Sequence, residues 1–337
     1  MKRIVLIPDH LTSNIDIERG VFDSDTEILT PCAKHTSEID DETWSNASAI
    51  LAWHDLKYTA EIIEKLEKCM IIVRVGVGFD NVDIMAAGKK GIPVCNVPDY
   101  GTNDVADHAM GLILSLARGI YAYNEKVRIS KSWDWNDAGD LNRLKGSVIG
   151  IIGLGRIGTA LALRAKAFGM DVVYYDPYIS DGMDKTLSIG KCDDLSDLLK
   201  SSDIVSINTP LTEKTREMAD HTFFMNIKKG AIFINTARGD IVNLDALTDA
   251  LRSNQLRGVG LDVLPQEPPD STHPLIRAWR NRELWISERL IITPHSAFYN
   301  KESYEEMRKK AAEEVVRIFK GVSPRNCINT SYIRLVN

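Results

Sequence analysis

Three glycines, Gly153, Gly155 and Gly158 in "GIIGLGRIG", follow a short apolar run and open an amphipathic segment, "RIGTALALRAKAFG". Glycines at this spacing suit a phosphate. The first permits a tight turn, the second lets backbone approach the anion, and the third lets a helix close onto the strand before it. The pattern also occurs in ordinary strand-to-helix turns. Asp176 narrows the reading. It ends the next apolar run, "DVVYYDP", twenty-three positions after Gly153. A carboxylate there accepts hydrogen bonds from adenosine ribose hydroxyls and repels a 2′-phosphate. Strand, glycines and acid together predict a dinucleotide, NAD rather than NADP.

The ends of the later apolar runs carry groups that fit a reaction. In order they are Thr209-Pro210, "NTARG" with Arg238, "LDVLPQEP" with Asp262 and Glu267, and "TPHSAFY" with His295. Hydride transfer to a keto acid needs a cation for the carboxylate, a proton donor at the carbonyl oxygen and a group that tunes the donor. An arginine fork binds carboxylates in bidentate fashion. A histidine beside a carboxylate is a donor with a fixed tautomer. Taken singly, each has an ordinary explanation: a surface cation, a solvated loop charge, a helix-cap histidine.

The elements that must position these groups alternate along the chain. Strand candidates in the first third are 3–7, 48–53, 70–75 and 92–97, with helical stretches near 59–67 and 82–90. A longer helix opens at Thr102, a residue type suited to an N-cap, in a segment running to 122. A polar connection holding "SWDWN" (132–136) precedes a second series of strands at 147–153, 171–176, 203–208, 231–236, 258–263 and 289–294. Continuous apolar strands separated by helices imply parallel sheets covered on both faces. Two such series in 337 residues predict two α/β domains.

Composition excludes several classes. A formal charge of −6 argues against a nucleic-acid surface built on bulk electrostatics. No window approaches the ~18 apolar residues of a membrane span, and the run Ile4–Ile7 is too short for a secretory signal. Five cysteines stand far apart with no C-x-x-C spacing, so neither a metal site nor a disulfide framework is expected, and a reducing cytoplasmic location is.

The motifs "GLGRIG", "YDP", "NTARGDIVN", "LDVLPQEP" and "TPHSAFY", in this order, resemble the D-isomer-specific 2-hydroxyacid dehydrogenase family. The likeness runs from "IIVRVGVGFDNVDI" (71–84) through the last helix. Within the family the chain is most similar to the C-terminal-binding-protein branch, through that stretch and through "CNVPDY", "LRAKAFGMDVVYYDPYISDG", "EMRKKAAEE" and "NCIN". The resemblance implies two Rossmann-like, doubly wound parallel-sheet domains. The substrate domain would be discontinuous and flavodoxin-like (1–100 plus 297–337), hinged on an NAD-binding domain (101–296). Arg238 would hold the substrate carboxylate, His295 would protonate the carbonyl oxygen, and Glu267 would pair with His295. The backbone of Val75, Gly76, Val77 and Gly78 would also contact the carboxylate. Arg156 and Ile157 would lie on the pyrophosphate. Thr102, Pro177, Thr209, Pro210, Thr215, Thr236 and Ala237 would line the cofactor cleft, with Asp262 facing the nicotinamide carboxamide. Arg74 resembles a second substrate-facing arginine of that branch, and His54 would share its cleft wall.

Two departures bear on specificity. The branch has tryptophan three residues after the catalytic histidine, where this chain has Phe298. A longer segment, 271–290, carries Arg277, Trp279, Arg280, Arg282 and Trp285. It reads as a solvated surface helix, with cleft cover or subunit docking as alternatives. The expected activity is NAD-dependent interconversion of a small 2-keto acid and its D-2-hydroxy acid. The alternatives are an NAD(H)-responsive peptide-binding scaffold, as in the corepressors of that branch, and a short-form phosphoglycerate dehydrogenase. The chain starts at its first strand and stops soon after its last helix, without the corepressors' Pro- and Ser-rich extension, which favours the enzyme. A homodimer through the NAD-binding domain is expected, anchored by the aromatic loop at 132–136.

Overall fold

The computed structural model describes residues 2–9 and 14–333. The chain divides into two compact units, Met1–Gly101 with Tyr299–Asn337, and Thr102–Phe298.

In the first unit the strands are β1 (Arg3–Leu6), β2 (Thr26–Leu29), β3 (Ala49–Ala52), β4 (Ile72–Arg74) and β5 (Val94–Asn96). Their order is β2-β1-β3-β4-β5 and every pairing is parallel. This is the flavodoxin-like doubly wound order. All four β3 residues are buried, as a strand covered on both faces requires. Trp44, Ile50, Tyr58, Ile63 and Ile72 form the core on one side. The helix Lys301–Phe319 packs in this unit. It opens with a reciprocal cap, Ser303 N–H donating to Asn300 Oδ1 (2.7 Å) and Asn300 N–H to Ser303 Oγ (3.2 Å). Its Arg308 donates from Nε (2.8 Å) and Nη2 (2.6 Å) to Glu18, and both side chains are almost wholly buried.

The second unit holds β6 (Val148–Ile152), β7 (Asp171–Tyr175), β8 (Gly190–Lys191), β9 (Ile204–Ile207), β10 (Ala231–Asn235), β11 (Leu256–Leu261) and β12 (Leu290–Ile292). The order is β12-β11-β10-β9-β6-β7-β8, parallel throughout, which is the Rossmann order with one added strand. Alternate strand residues feed two cores. Val205, Ile207 and Phe233 face one with Phe223 and Phe224, while Ile204, Ile232 and Ile234 face the other with Ile113 and Leu161.

Three features differ from the sequence reading. Strands β2 and β8 are additions; β8 is only two exposed residues at the sheet edge, too short to leave a periodic signal. The helix starting at Thr102 ends at Ala117, and a left-handed Gly119 (φ +62) separates it from a second helix, Ile120–Ser130. Thr102 is its first helical residue rather than its cap. The 271–290 segment is not a solvated helix. It holds a short helix, Pro274–Arg280, whose Leu275, Ile276 and Ala278 join the unit's own core together with Ile286, with Trp279 and Trp285 packed partly against it. The Arg252 guanidinium stacks 4.3 Å over the Trp285 ring.

Removing Arg308 would leave Glu18 charged and buried without its cation. Arg308→Met is expected to destabilise the first unit by about 3–5 kcal/mol, read as an earlier urea transition by tryptophan fluorescence.

Candidate functional site

Because every pairing in the second unit is parallel, the carboxyl ends of its strands share one edge, where ligands of doubly wound sheets bind. The turn after β6 is built on close approach. Gly153 sits at φ +90, and a Cβ there would stand 2.9 Å from the Asn208 carbonyl oxygen. A Cβ on Gly158 would fall 2.1 Å from the Gly153 carbonyl oxygen. Gly155 precedes the helix Arg156–Ala167, and no side chain caps it. The first-turn N–H groups of Arg156 and Ile157 thus have no intrahelical acceptor, the arrangement that binds an anion. Asp176 braces this turn. Its Oδ2 accepts from Leu154 N–H and its Oδ1 from Tyr178 N–H, both at 2.9 Å.

The end of β9 lies against the same turn. There Asn208 Oδ1 and Thr209 Oγ1 are buried without a hydrogen-bond partner. Buried polar atoms are almost always paired, so two orphans beside a glycine turn mark a place for a polar ligand. A dinucleotide diphosphate fits these residues. Thr215 closes the next turn, its hydroxyl donating to the Pro210 carbonyl (2.7 Å). A depression lined by Tyr175, Asp176, Pro177 and Ile179 borders the end of β7. Thr236 is buried and Ala237 half-buried at the end of β10.

Asn235, absent from the sequence reading, shapes the turn that presents Arg238. Its Oδ1 accepts from Ala237 N–H (3.0 Å) and its Nδ2 donates to the Arg238 carbonyl (2.8 Å). Arg238 Nη1 donates to the Ala237 carbonyl (2.7 Å).

The Asp262 side chain is closed off from solvent. Oδ1 accepts from Thr293 Oγ1 (2.6 Å) and Ser296 N–H (2.9 Å), and Oδ2 from Ala297 N–H (2.9 Å). The Asp262 carbonyl accepts from His295 N–H (2.7 Å). The residue therefore ties down the loop after β12. His108, also missed in the sequence, adds a contact of 3.0 Å between Nε2 and Thr293 Oγ1. His295 sits in that loop at φ +51, a conformation that needs such support in a non-glycine residue.

His295 Nδ1 lies 2.8 Å from Glu267 Oε2, and Glu267 Oε1 accepts from Leu264 N–H (2.9 Å). Burial would push the Glu267 carboxyl up. The His295 hydrogen bond and charge, the Leu264 N–H and the Arg238 charge outweigh it and hold the group below the usual carboxylate range. Arg238, Glu267 and His295 thus belong to one electrostatic cluster. Phe298, three residues on, is half-buried.

The remaining expected residues belong to the first unit. Arg74 ends β4, and its Nη1 donates to the Val75 carbonyl (2.6 Å). Its guanidinium lies where a Cβ on Gly76 (φ +144) would stand, 1.6 Å from Nη1. The Val75–Gly78 loop is held from β5 by Val97 N–H to the Gly76 carbonyl (3.0 Å) and Asn96 Nδ2 to the Val77 carbonyl (2.6 Å). His54 is exposed, with Nε2 3.3 Å from Asp55 Oδ1. Its loop is pinned by the wholly buried Asp9, which accepts from the N–H groups of Trp53, Asp55 and Leu56 and from the Tyr58 hydroxyl, each at 3.0 Å. Among the described residues no cluster of His, Cys, Asp or Glu could hold a metal ion, and no helix is long and apolar enough to cross a membrane.

Sheet order, glycine turn and orphaned polar atoms define a dinucleotide-binding α/β protein. The chain belongs to the D-isomer specific 2-hydroxyacid dehydrogenase family, whose NAD-binding domain model matches residues 110–297. NAD is therefore its cofactor. It is 35% identical over 288 residues to D-3-phosphoglycerate dehydrogenase of Methanocaldococcus jannaschii, covering 86% of this chain and 53% of that protein. It is 33% identical over 307 residues to C-terminal-binding protein 1 of Caenorhabditis elegans, covering 88% of this chain and 41% of that protein. The chain thus spans about half the length, or less, of these relatives. D-lactate dehydrogenase of Aquifex aeolicus, solved with NAD and lactic acid, superposes with a TM-score of 0.80 at 28% identity over 99% of both chains.

Two outcomes are expected. Gly158→Ala drives a methyl into the Gly153 carbonyl and should destabilise the second unit by about 1–3 kcal/mol while weakening NAD binding, measured by calorimetric titration. The depressed Glu267 carboxyl favours the ionised native state. Its contribution to stability is full above the ordinary carboxylate range and is lost as pH falls through the lowered folded value. The difference in melting temperature between wild type and Glu267→Gln should therefore shrink between about pH 6 and about pH 3.

Proposed function

We propose that the chain is an NAD-dependent D-2-hydroxyacid dehydrogenase that interconverts a small 2-keto acid and its D-2-hydroxy acid. The observation that carries this reading is the 2.8 Å contact of His295 Nδ1 with Glu267, in a cluster with Arg238 at the carboxyl edge of a dinucleotide-binding sheet. Nδ1 is committed to Glu267, so Nε2 is the ring atom that exchanges a proton with substrate. Arg238 binds the substrate carboxylate through its planar fork. NADH, when bound, supplies the hydride. His295 protonates the carbonyl oxygen as it becomes a hydroxyl and takes the proton back in the reverse direction. Glu267, kept ionised, orients the ring and stabilises its protonated form.

The cofactor would be held by the Gly153–Gly158 turn, with Asp176 for the adenosine ribose and Asn208 and Thr209 for the diphosphate. Thr102, Pro177, Pro210, Thr215, Thr236 and Ala237 complete its lining. The first unit takes the substrate-binding role, through the Val75–Gly78 loop with Arg74 and His54, and Phe298 contributes to the pocket. The lactic acid bound by the Aquifex aeolicus protein supports a small 2-hydroxy acid as substrate. Five free cysteines favour a reducing compartment, the cytoplasm. We assign a homodimer through the NAD-binding unit, where Trp133 and Trp135 are 91% and 81% exposed.

NADH oxidation measured across 2-keto acids of graded size and charge tests the activity. His295→Ala should lower kcat by about 10²–10⁴ with NADH binding retained. Arg238→Ala should raise KM by about one to two orders of magnitude, as expected for a lost charge-assisted hydrogen-bond pair. A histidine variant that keeps its turnover, or no keto acid oxidising NADH, would overturn the reading. Trp133→Ala with Trp135→Ala should shift the chain from dimer to monomer in light scattering coupled to size exclusion.

A further inference from the structure

The five cysteines are scattered through the sequence, yet two of them meet in the first unit. Strand β5 is the edge of that sheet, and the C-terminal segment crosses it with Cys327 paired to Cys95 in an antiparallel bridge. The flanking bond runs from Ile328 N–H to the Val94 carbonyl (2.9 Å). A bond between the residues on either side, rather than between the pair itself, makes Cys95 and Cys327 a non-hydrogen-bonded pair. Such pairs bring Cα atoms to about 4.5 Å and side chains to their nearest approach, at the short end of the Cα separations that disulfides span. The Cys327 thiol donates to Asn329 Oδ1 (3.2 Å), the amide that fixes the crossing.

The crossing is fixed by Asn329, which is wholly buried. Its Oδ1 accepts from Val94 N–H (2.8 Å), and its Nδ2 donates to the carbonyls of Ile92 (2.9 Å) and Ile84 (3.3 Å). Cys95 is buried, whereas Cys327 is partly exposed. The Cys95 hydrogen bond, assisted by Thr330 and by the backbone of Asn329 and Val94 and opposed by burial, lowers the Cys327 thiol to about 6. The hydrogen bond with Cys327 and burial push Cys95 up. One thiol is thus the accessible nucleophile and the other is held behind it.

We propose that Cys95 and Cys327 form a redox-active dithiol site, which a low-molecular-weight disulfide converts into a cross-strand disulfide that fastens the C-terminal segment to the edge of the sheet. The Cys327 thiolate attacks one sulfur of the small disulfide, forming a mixed disulfide and expelling one thiolate. Cys95 then gives up its proton and attacks the Cys327 sulfur. The protein disulfide forms and the second small thiolate leaves. Two protein thiols are oxidised and one disulfide is reduced to two thiols. The site lies one residue from Asn96, which holds the Val77 carbonyl, so the cross-link would tether the strand that supports the Val75–Gly78 loop.

The full chain is incubated under native conditions with glutathione disulfide, then alkylated, digested without reduction and mapped by mass spectrometry. The expected result is loss of two of the five thiols, a peptide joining Cys95 to Cys327, and full reversal by dithiothreitol. Cys95→Ser should stop at a glutathione adduct on Cys327, and Cys327→Ser should leave Cys95 unmodified. Melting temperature of the oxidised wild type should exceed that of the reduced protein, with unchanged circular dichroism. No thiol loss, a persistent glutathione adduct in wild type, or a cross-link joining other cysteines would each overturn the proposal.

Discussion

The arrangement of the site depends on one buried carboxylate. Asp262 is enclosed by protein, and its two oxygens accept from Thr293, Ser296 and Ala297, three residues that bracket His295. A carboxylate without solvent is tolerated only when donors surround it. Those donors come here from the loop that must hold His295 at a left-handed φ. The loop and the carboxylate therefore stabilise each other, and the imidazole meets Glu267 because both conditions are satisfied. Thr293 extends the network to His108, on a helix far away in sequence, so the loop is secured from the strand below and the helix beside it.

The first unit repeats this device. Asp9, after β1, receives three backbone N–H groups and a tyrosine hydroxyl, and so fixes the loop after β3. β1 and β3 flank the point where the strand order of that sheet reverses. In both units a buried aspartate acts as the hub of a carboxyl-edge loop. Loops there must hold functional groups without the ladder bonds of a sheet, and a carboxylate supplies several strong acceptor positions in one side chain. Asn235 does the same for the Arg238 turn on a smaller scale, donating and accepting from a single amide.

The parts of this arrangement that were legible in the sequence are those with local signatures. Apolar strands alternating with helices gave the two parallel sheets, and glycine spacing with Asp176 marked the dinucleotide turn. Arg238, Glu267 and His295, the residues proposed for the reaction, stand out because each follows a recognisable strand end. Asp262 stands out for the same reason, but its bracing of the His295 loop does not, since burial and partners thirty-odd residues away leave no mark in its neighbourhood. His108, Asp9 and Asn329 were invisible for that reason too. The 271–290 segment misled through its arginines and tryptophans. The buried residues Leu275, Ile276, Ala278 and Ile286 decide its placement, and they are too few to show a clear period. Cys95 and Cys327 could not be paired from spacing, because the fold alone lays the C-terminal segment over β5.

The charges of the site also form a unit rather than a set of separate roles. Burial alone would raise Glu267. His295 and Arg238 reverse that, so the carboxylate is favoured in its ionised form. Beyond the carboxylate-binding role proposed for it, the Arg238 charge helps keep Glu267 ionised. In the proposed reaction, neutralising Arg238 would weaken both carboxylate binding and the ionisation of Glu267, so its consequence for turnover would overlap with that of removing Glu267. The two substitutions fall within one interacting network, where free-energy changes are not additive. In the proposed reaction, an arginine whose charge reaches the histidine–glutamate pair would couple recognition of the substrate to the orientation of its proton donor.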